Sequence, residues 1–418
     1  MLAGWLPVVT AVAEPAPSPR AAEEPQPVAP PRIVAAAPNT EVEAVHSTDR
    51  PAALSAKELA AGWLRLFDGH SLFGWQAGSD VDWRVVDGAI TATAGERGLL
   101  YTSSVFADYE LDLEFRAEPG TNSGVFLRTP PVPTDPRRDC YELNIAPEDN
   151  PFPTGSFVGR QRVQSSVDDG RWHRFQVRAE GGRFQVRLDG REVLDYTDPA
   201  PLARGHIGLQ FNEGRIAFRD VKLRPLGLAP IFNGRDLTGW RIYPDKTAEF
   251  SVTPEGELKV VNGNGQLESE GQWADFVLDL EILVDGPHLN SGIFFRSIPG
   301  EFWQGYESQI HNGYHDGDRT RPIDCGTGGF YRRQDARRVV ADDHKWFRMT
   351  LVVAGPQMAT WIDGYQVSDW TDTRAADENP RRGLRLAAGT LSIQAHDPTT
   401  NLRFRRIRLA AFPPAETE

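Results

Sequence analysis

An all-β chain of two antiparallel sandwiches in tandem is what this sequence of 418 residues predicts. Three observations predict it: one unit is written twice, its strands alternate with period two, and turns carrying Gly separate them. The stretch "NSGVFLR" (Asn122 to Arg128) returns as "NSGIFFR" (Asn290 to Arg296), and "LFDGHSLFGW" returns as "IFNGRDLTGW". The offset is 165 at Trp75 and Trp240, 168 at Asn122 and Asn290, 174 at Trp172 and Trp346, and 184 at Gln210 and Gln394. A tandem duplication keeps the landmarks in order, and insertions in the second copy raise the offset. Those insertions fall in "HNGYHDGDRTRPIDCG" and "WTDTRAADENPRR". Extra loop residues belong at the surface of a scaffold, where binding and catalysis are usually placed. The units are bounded at 54–227 and 228–413, joined through "RPLGLAP".

The elements follow in chain order. Residues 1–53 begin with "MLAGWLPVVTAVA", apolar, without Lys or Arg, and too short to span a bilayer. It reads as a secretory signal remnant ending at Ala11 and Ala13, or as a mis-assigned start codon. From Glu14 to Pro51 the chain is Pro, Ala and Glu with almost no aromatics, so it is expected to be a disordered tether. A signal followed by a tether points to an extracytoplasmic location, periplasmic or secreted. "SAKELAAGWL" predicts a short helix with Ser55 as N-cap and Glu58 at its third position. "YELDLEFR" and "FVLDLEIL" alternate apolar and polar residues, as half-buried strands do. "HRFQVRAEGGRFQVRLDG" reads as a hairpin around Glu180-Gly181-Gly182, repeated in "FRMTLVVAGPQMATWIDG".

Composition excludes several classes. A net charge of −13 leaves no basic stripe for nucleic acid. Two cysteines, Cys140 and Cys325, make neither a disulfide framework nor a paired-cysteine zinc site, and both are read as free. No transmembrane span is expected, and oligomeric state is not written in the sequence.

The "LF-G-L-GW" opening, the NSG strand, "YESQI", "TGGFY" and the "LSIQAHD" ending together resemble the 3-keto-disaccharide hydrolase family, over essentially 54–412 in two copies. The resemblance implies a concanavalin A-like jelly roll in each copy, with the ligand on a concave sheet face. It also implies cleavage of 3-keto-glycosides or 3-keto-disaccharides by proton abstraction, elimination and hydration.

Strand phase sorts the candidate residues. Glu307, Gln309 and His311 share one face of "YESQIH", and Ser392, Gln394 and His396 one face of "LSIQAH". Asn290 and Arg296 are expected on the same side of their strand, and Tyr331 beside Arg333. Their convergence is implied by the resemblance. The first copy matches Glu307 with Glu142, Arg296 with Arg128, Arg333 with Arg160 and Gln394 with Gln210. It has Ala146 for His311, Asn212 for His396 and Val158 for Tyr331. Imidazole is the side chain suited to proton transfer near neutrality, so the second copy is expected to be catalytic and the first supporting or binding.

His396 is the candidate base, and Arg333 or His311 the stabiliser of the enolate. Glu307 or Asp397 is the acid or the group that orients a histidine. Asn290, Arg296, Gln309, Tyr331, Gln394 and Trp303 are candidate substrate-binding residues. No cofactor is expected. A divalent metal on His311, His396, Glu307 and Asp397 takes second place, because their spacing has no metal signature. Bland readings stand beside these: His396-Asp397 as a turn, "YRRQDARR" as a solvated surface, Trp303 as core and Asn290 as a turn-former. The non-enzyme alternative is a lectin-like carbohydrate-binding protein, since fold does not fix function.

Overall fold

The computed structural model describes residues 54–414, so the signal remnant and tether expected at 1–53 lie outside the described residues. Ser55 and Glu58 form the expected reciprocal cap, and the helix they start runs Ala56–Ala61. Gly62 ends it in the left-handed region at φ 90°, which a side chain would resist.

After that helix the described residues are strand and turn, apart from a single 3-10 turn at His315–Gly317. In each half a five-stranded antiparallel sheet packs on an eight-stranded one, so the chain is two concanavalin A-like jelly-roll sandwiches in tandem. The five-stranded sheet of the second half runs Trp240–Ile242, Gly265–Trp273, Gly389–Ala395, Ser291–Ser297, Tyr306–Ile310. That of the first half runs Trp75–Ala77, Gly98–Thr102, His206–Glu213, Asn122–Thr129, Tyr141–Ile145, the same order. Period-two alternation sends Ile293, Phe295, Tyr306, Ile310, Leu391 and Ile393 into the core of the second half, leaving their neighbours on the opposite face.

The halves form one compact unit with a shared seam. Val277, Val352, Ala359 and Trp361 of the second half belong to the apolar cluster of the first. At the positions matching Val352, Ala359 and Trp361, the first half carries Arg178, Gln185 and Arg187, partly or fully exposed. The outer face of the large sheet is thus apolar in one copy and charged in the other. Polar ties cross the seam. The Trp361 indole donates to Arg65 O at 2.9 Å, Arg337 pairs with Asp68 at 2.7 Å, and Arg204 pairs with Asp275 at 2.7 Å. Arg348 pairs with Asp279 and donates to Leu59 O at the end of the short helix, while Glu58 of that helix pairs with Lys222. Both cysteines are free. Among the described residues no helix is long and apolar enough to cross a membrane.

Candidate functional site

Cross-strand register assembles the site on the outer face of the second five-stranded sheet. Gln266 lies opposite Gln394, and Gly292 opposite Gln309; continuing the register sets Gly292 between Gln394 and Gln309. The next row is Glu268, Ser392, Phe294 and Glu307. The NSG motif is explained here. Ser291 Oγ donates to Gln394 O at 2.7 Å, as Ser123 does to Gln210 O in the first half, tying adjacent strands. A Cβ on Gly292 would sit 2.5 Å from Glu307 Oε1, so only glycine leaves room for that carboxyl.

Glu307 is buried, and Arg381 Nη2 donates to its Oε2 at 2.9 Å. Burial pushes its carboxyl up to about 7, against the charge and hydrogen bond of Arg381, with Asp324 adding to the rise and His396 opposing it. A carboxyl poised there holds its proton near neutrality and can donate it.

His396 follows its strand, half-exposed. Its Nδ1 contacts Asp397 Oδ2 at 2.9 Å, and its ring stacks on Trp303 at 5.7 Å and 5°. Burial raises the Asp397 carboxyl, but bonds from Thr399 and His396 outweigh it and hold it below the usual range. Asp397 also accepts from Thr399 N at 2.8 Å, so the turn and the imidazole partnership are served by one side chain. Trp303 N donates to Gln266 Oε1 at 2.7 Å, and Arg381 Nε donates to Trp303 O at 3.1 Å. His396, Trp303 and Arg381 are therefore linked through one ring contact and one hydrogen bond.

His311 stands across Asn290 from His396 once the register is extended by one residue, about 10 Å away at two strand spacings. Its Nδ1 accepts Gly313 N–H at 3.1 Å, which leaves Nε2 to carry a proton. Burial lowers its pKa, so it is a neutral donor. Its ring faces His288 at 6.3 Å. Asp324 accepts from Gln309 Nε2 at 2.8 Å and from Asn290, so Asn290 bonds a side chain rather than closing a turn. Gln309 Oε1, Gln394 Oε1 and Ser392 Oγ are buried without partners. Acceptors of this kind can take hydrogen bonds from a donor on a bound group.

Two expectations fail. Arg296 does not face a ligand. A register break between Phe294 and Ser297 and its own φ of 45° turn it into the interior, where it donates to Ala274 O and Arg385 O and pairs with Asp275 at 2.7 Å. Arg128 does the same in the first half with Ala107 O, Gly181 O, Leu202 O and Asp108, so both copies keep it for structure. Arg333 is not on a strand. Phe330 N and Gln334 O close a turn there, and Arg333 is exposed, donating to Arg381 O at 2.7 Å. Tyr331 lies beneath Arg381, 5.3 Å from ring to guanidinium.

Sequence reasoning missed Arg381, Asp324, Gln266 and His288. Arg381 and Asp324 lie in the two insertions, which the offset had marked as loops without saying what they reach. In the first half Arg160 pairs with Asp198, the partner of Tyr141. In the second, Arg374 takes the matching Asp372, the partner of Tyr306, and Arg381 is free to reach Glu307. Among the described residues no group of three or more His, Cys, Asp or Glu gathers in metal-holding geometry.

Over 179 residues the chain is 30% identical to human sex hormone-binding globulin, covering 38% of this chain and 42% of that protein, so it spans less than half of that relative. A proposed glycosyl hydrolase from Parabacteroides distasonis ATCC 8503 matches 41% of this chain and 98% of its own, at 17% identity and TM-score 0.36. The carbohydrate-binding module CBM66 from Bacillus subtilis matches 36% of this chain and 95% of its own, at 18% identity and TM-score 0.30. The 3-keto-alpha-glucoside-1,2-lyase-like domain matches residues 62–224 and again 227–410, so the chain belongs to that family and carries its domain twice.

Proposed function

We propose that the second half cleaves glycosides whose sugar carries a ketone at carbon 3. The ketone acidifies the proton on carbon 2, so an imidazole is base enough to remove it. His396 takes that proton at Nε2 while Asp397 steadies Nδ1. The electron pair becomes an enolate, met by the Arg381 guanidinium and the His311 Nε2 proton. Arg381 thus fills the role expected of Arg333. It is suited to it, because a protonated Glu307 leaves the guanidinium charge uncompensated. The enolate then expels the oxygen on carbon 1, which leaves with the Glu307 proton, and a double bond forms between carbons 1 and 2. Stopping there is a lyase reaction. Hydration returns the His396 proton to carbon 2 and adds hydroxide to carbon 1, with the Glu307 carboxylate taking the second proton of water, so the net result is hydrolysis.

The observation that carries this reading is the pairing of a His396–Asp397 dyad with a buried, near-neutral Glu307 around unpaired acceptors, in one half only. The test is p-nitrophenyl 3-keto-α-glucoside in deuterium oxide, following nitrophenol release and exchange at carbon 2. His396→Ala is expected to lose both by at least a hundredfold, and Asn212→Ala neither. Equal losses from the two, or no turnover by the intact chain, would refute it. Binding without turnover would instead favour a carbohydrate-binding protein.

A further inference from the structure

The first half has an outer-face groove of its own, about 290 Å³, bordered by the Pro131 to Thr134 stretch. Arg97, Leu99, Phe126, Val132, Glu142 and Gln210 line it. Its rows are Leu99, Gln210, Gly124, Asn144 and then Tyr101, Gly208, Phe126, Glu142. Where the second half has Gln266 and Glu268, this face therefore has Leu99 and Tyr101. Leu99, Phe126 and Cys140 form an apolar cluster separate from the core, with Tyr101 packed on it. Beside that floor Gln210 is only 2% exposed and Glu142 only 4%. Gln210 Nε2 donates to Glu142 Oε1 at 3.2 Å, which leaves Gln210 Oε1 buried with no partner. Burial raises the Glu142 carboxyl, with Arg97 and Gln210 opposing.

A buried acceptor without a donor, next to a carboxyl and above an apolar floor, fits a ring with hydroxyls on one edge and C–H groups on one face. The Arg97 charge near Glu142 removes the need for a cationic ligand. The dyad of the second half is missing, since Ala146 and Asn212 stand at the imidazole positions. His206, on the same face, has Nδ1 against Thr102 O at 2.5 Å and its ring edge-on to Tyr101. We propose that the groove between Leu99, Phe126, Glu142 and Gln210 binds a neutral, unoxidised oligosaccharide and holds it without cleaving it. The proposal shares with the proposed chemistry only the premise that these faces meet sugars.

The test presents the full chain with an immobilised panel of neutral hexose oligosaccharides, then titrates the best binder by calorimetry. Wild type and His396→Ala are expected to bind alike. Gln210→Met and Glu142→Gln are expected to bind at least tenfold more weakly, while Gln210→Met keeps 3-keto-glucoside turnover. Val132→Arg, on a side chain 66% exposed at the rim, blocks the groove without touching the core and serves if the buried variants fail to fold. No binder on the panel, or binding lost in His396→Ala and kept in Val132→Arg, overturns the assignment. Loss of 3-keto turnover alone would count against the second half and leave this groove standing.

Discussion

Glu307 separates the proposed chemistry from a merely polar surface, because its proton is held by burial and can be followed. Its folded pKa of about 7 lies above the ordinary 4.5, so the folded state binds the extra proton between those values. Stability should therefore fall as pH rises from 4.5 to 7 and level off above, by on the order of 3 kcal/mol. Glu307→Gln should flatten that slope in urea titrations at stepped pH. The same variant should abolish the fall in turnover expected as pH rises through about 7, at the cost of at least a hundredfold in rate. Arg296 makes the opposite kind of prediction. Removing a buried guanidinium leaves two carbonyls without their donor and Asp275 with Arg204 as its remaining ion-pair partner, so Arg296→Ala should cost about 2–4 kcal/mol in urea unfolding. KM of the folded fraction should stay unchanged, since the side chain faces no ligand.

At the scale of the strand, phase was legible wherever the backbone stayed regular. "YESQIH" and "LSIQAH" put Glu307, Gln309, Gln394 and His396 on one face, as alternation requires. It failed at Arg296, where a register break flips one residue, and at Arg333, where the chain turns. Neither event has a period to read. Strand order was also hidden, because Gly389–Ala395 enters the sheet between two strands more than ninety residues earlier in the chain. Arg381 could not be paired with Glu307 without that order. The glycine of the repeated motif gives the element-scale test. Gly292→Ala would set a methyl 2.5 Å from Glu307 Oε1, whereas the first contact of Gly124→Ala is at 3.2 Å, with Leu143 O. Turnover should drop at least tenfold in the first variant and stay within a few-fold of wild type in the second, with thermal unfolding showing that both fold.

For the whole molecule, the duplication was plain in the sequence, but the seam was not, because nothing in a repeat says which of its faces meets its twin. Val352, Ala359 and Trp361 look like ordinary strand residues until they are set against Arg178, Gln185 and Arg187. A separately produced 228–414 fragment should therefore aggregate or self-associate by light scattering, and the full chain should not. Trp361→Ala in the full chain should cost about 3–5 kcal/mol in urea unfolding. The contrast of Arg187 with Trp361 also bears on whether the two halves can be parted. Two modules with water-loving exteriors could be cut apart freely, but a half whose exterior tolerates only its sibling would bare a sticky plate on fission.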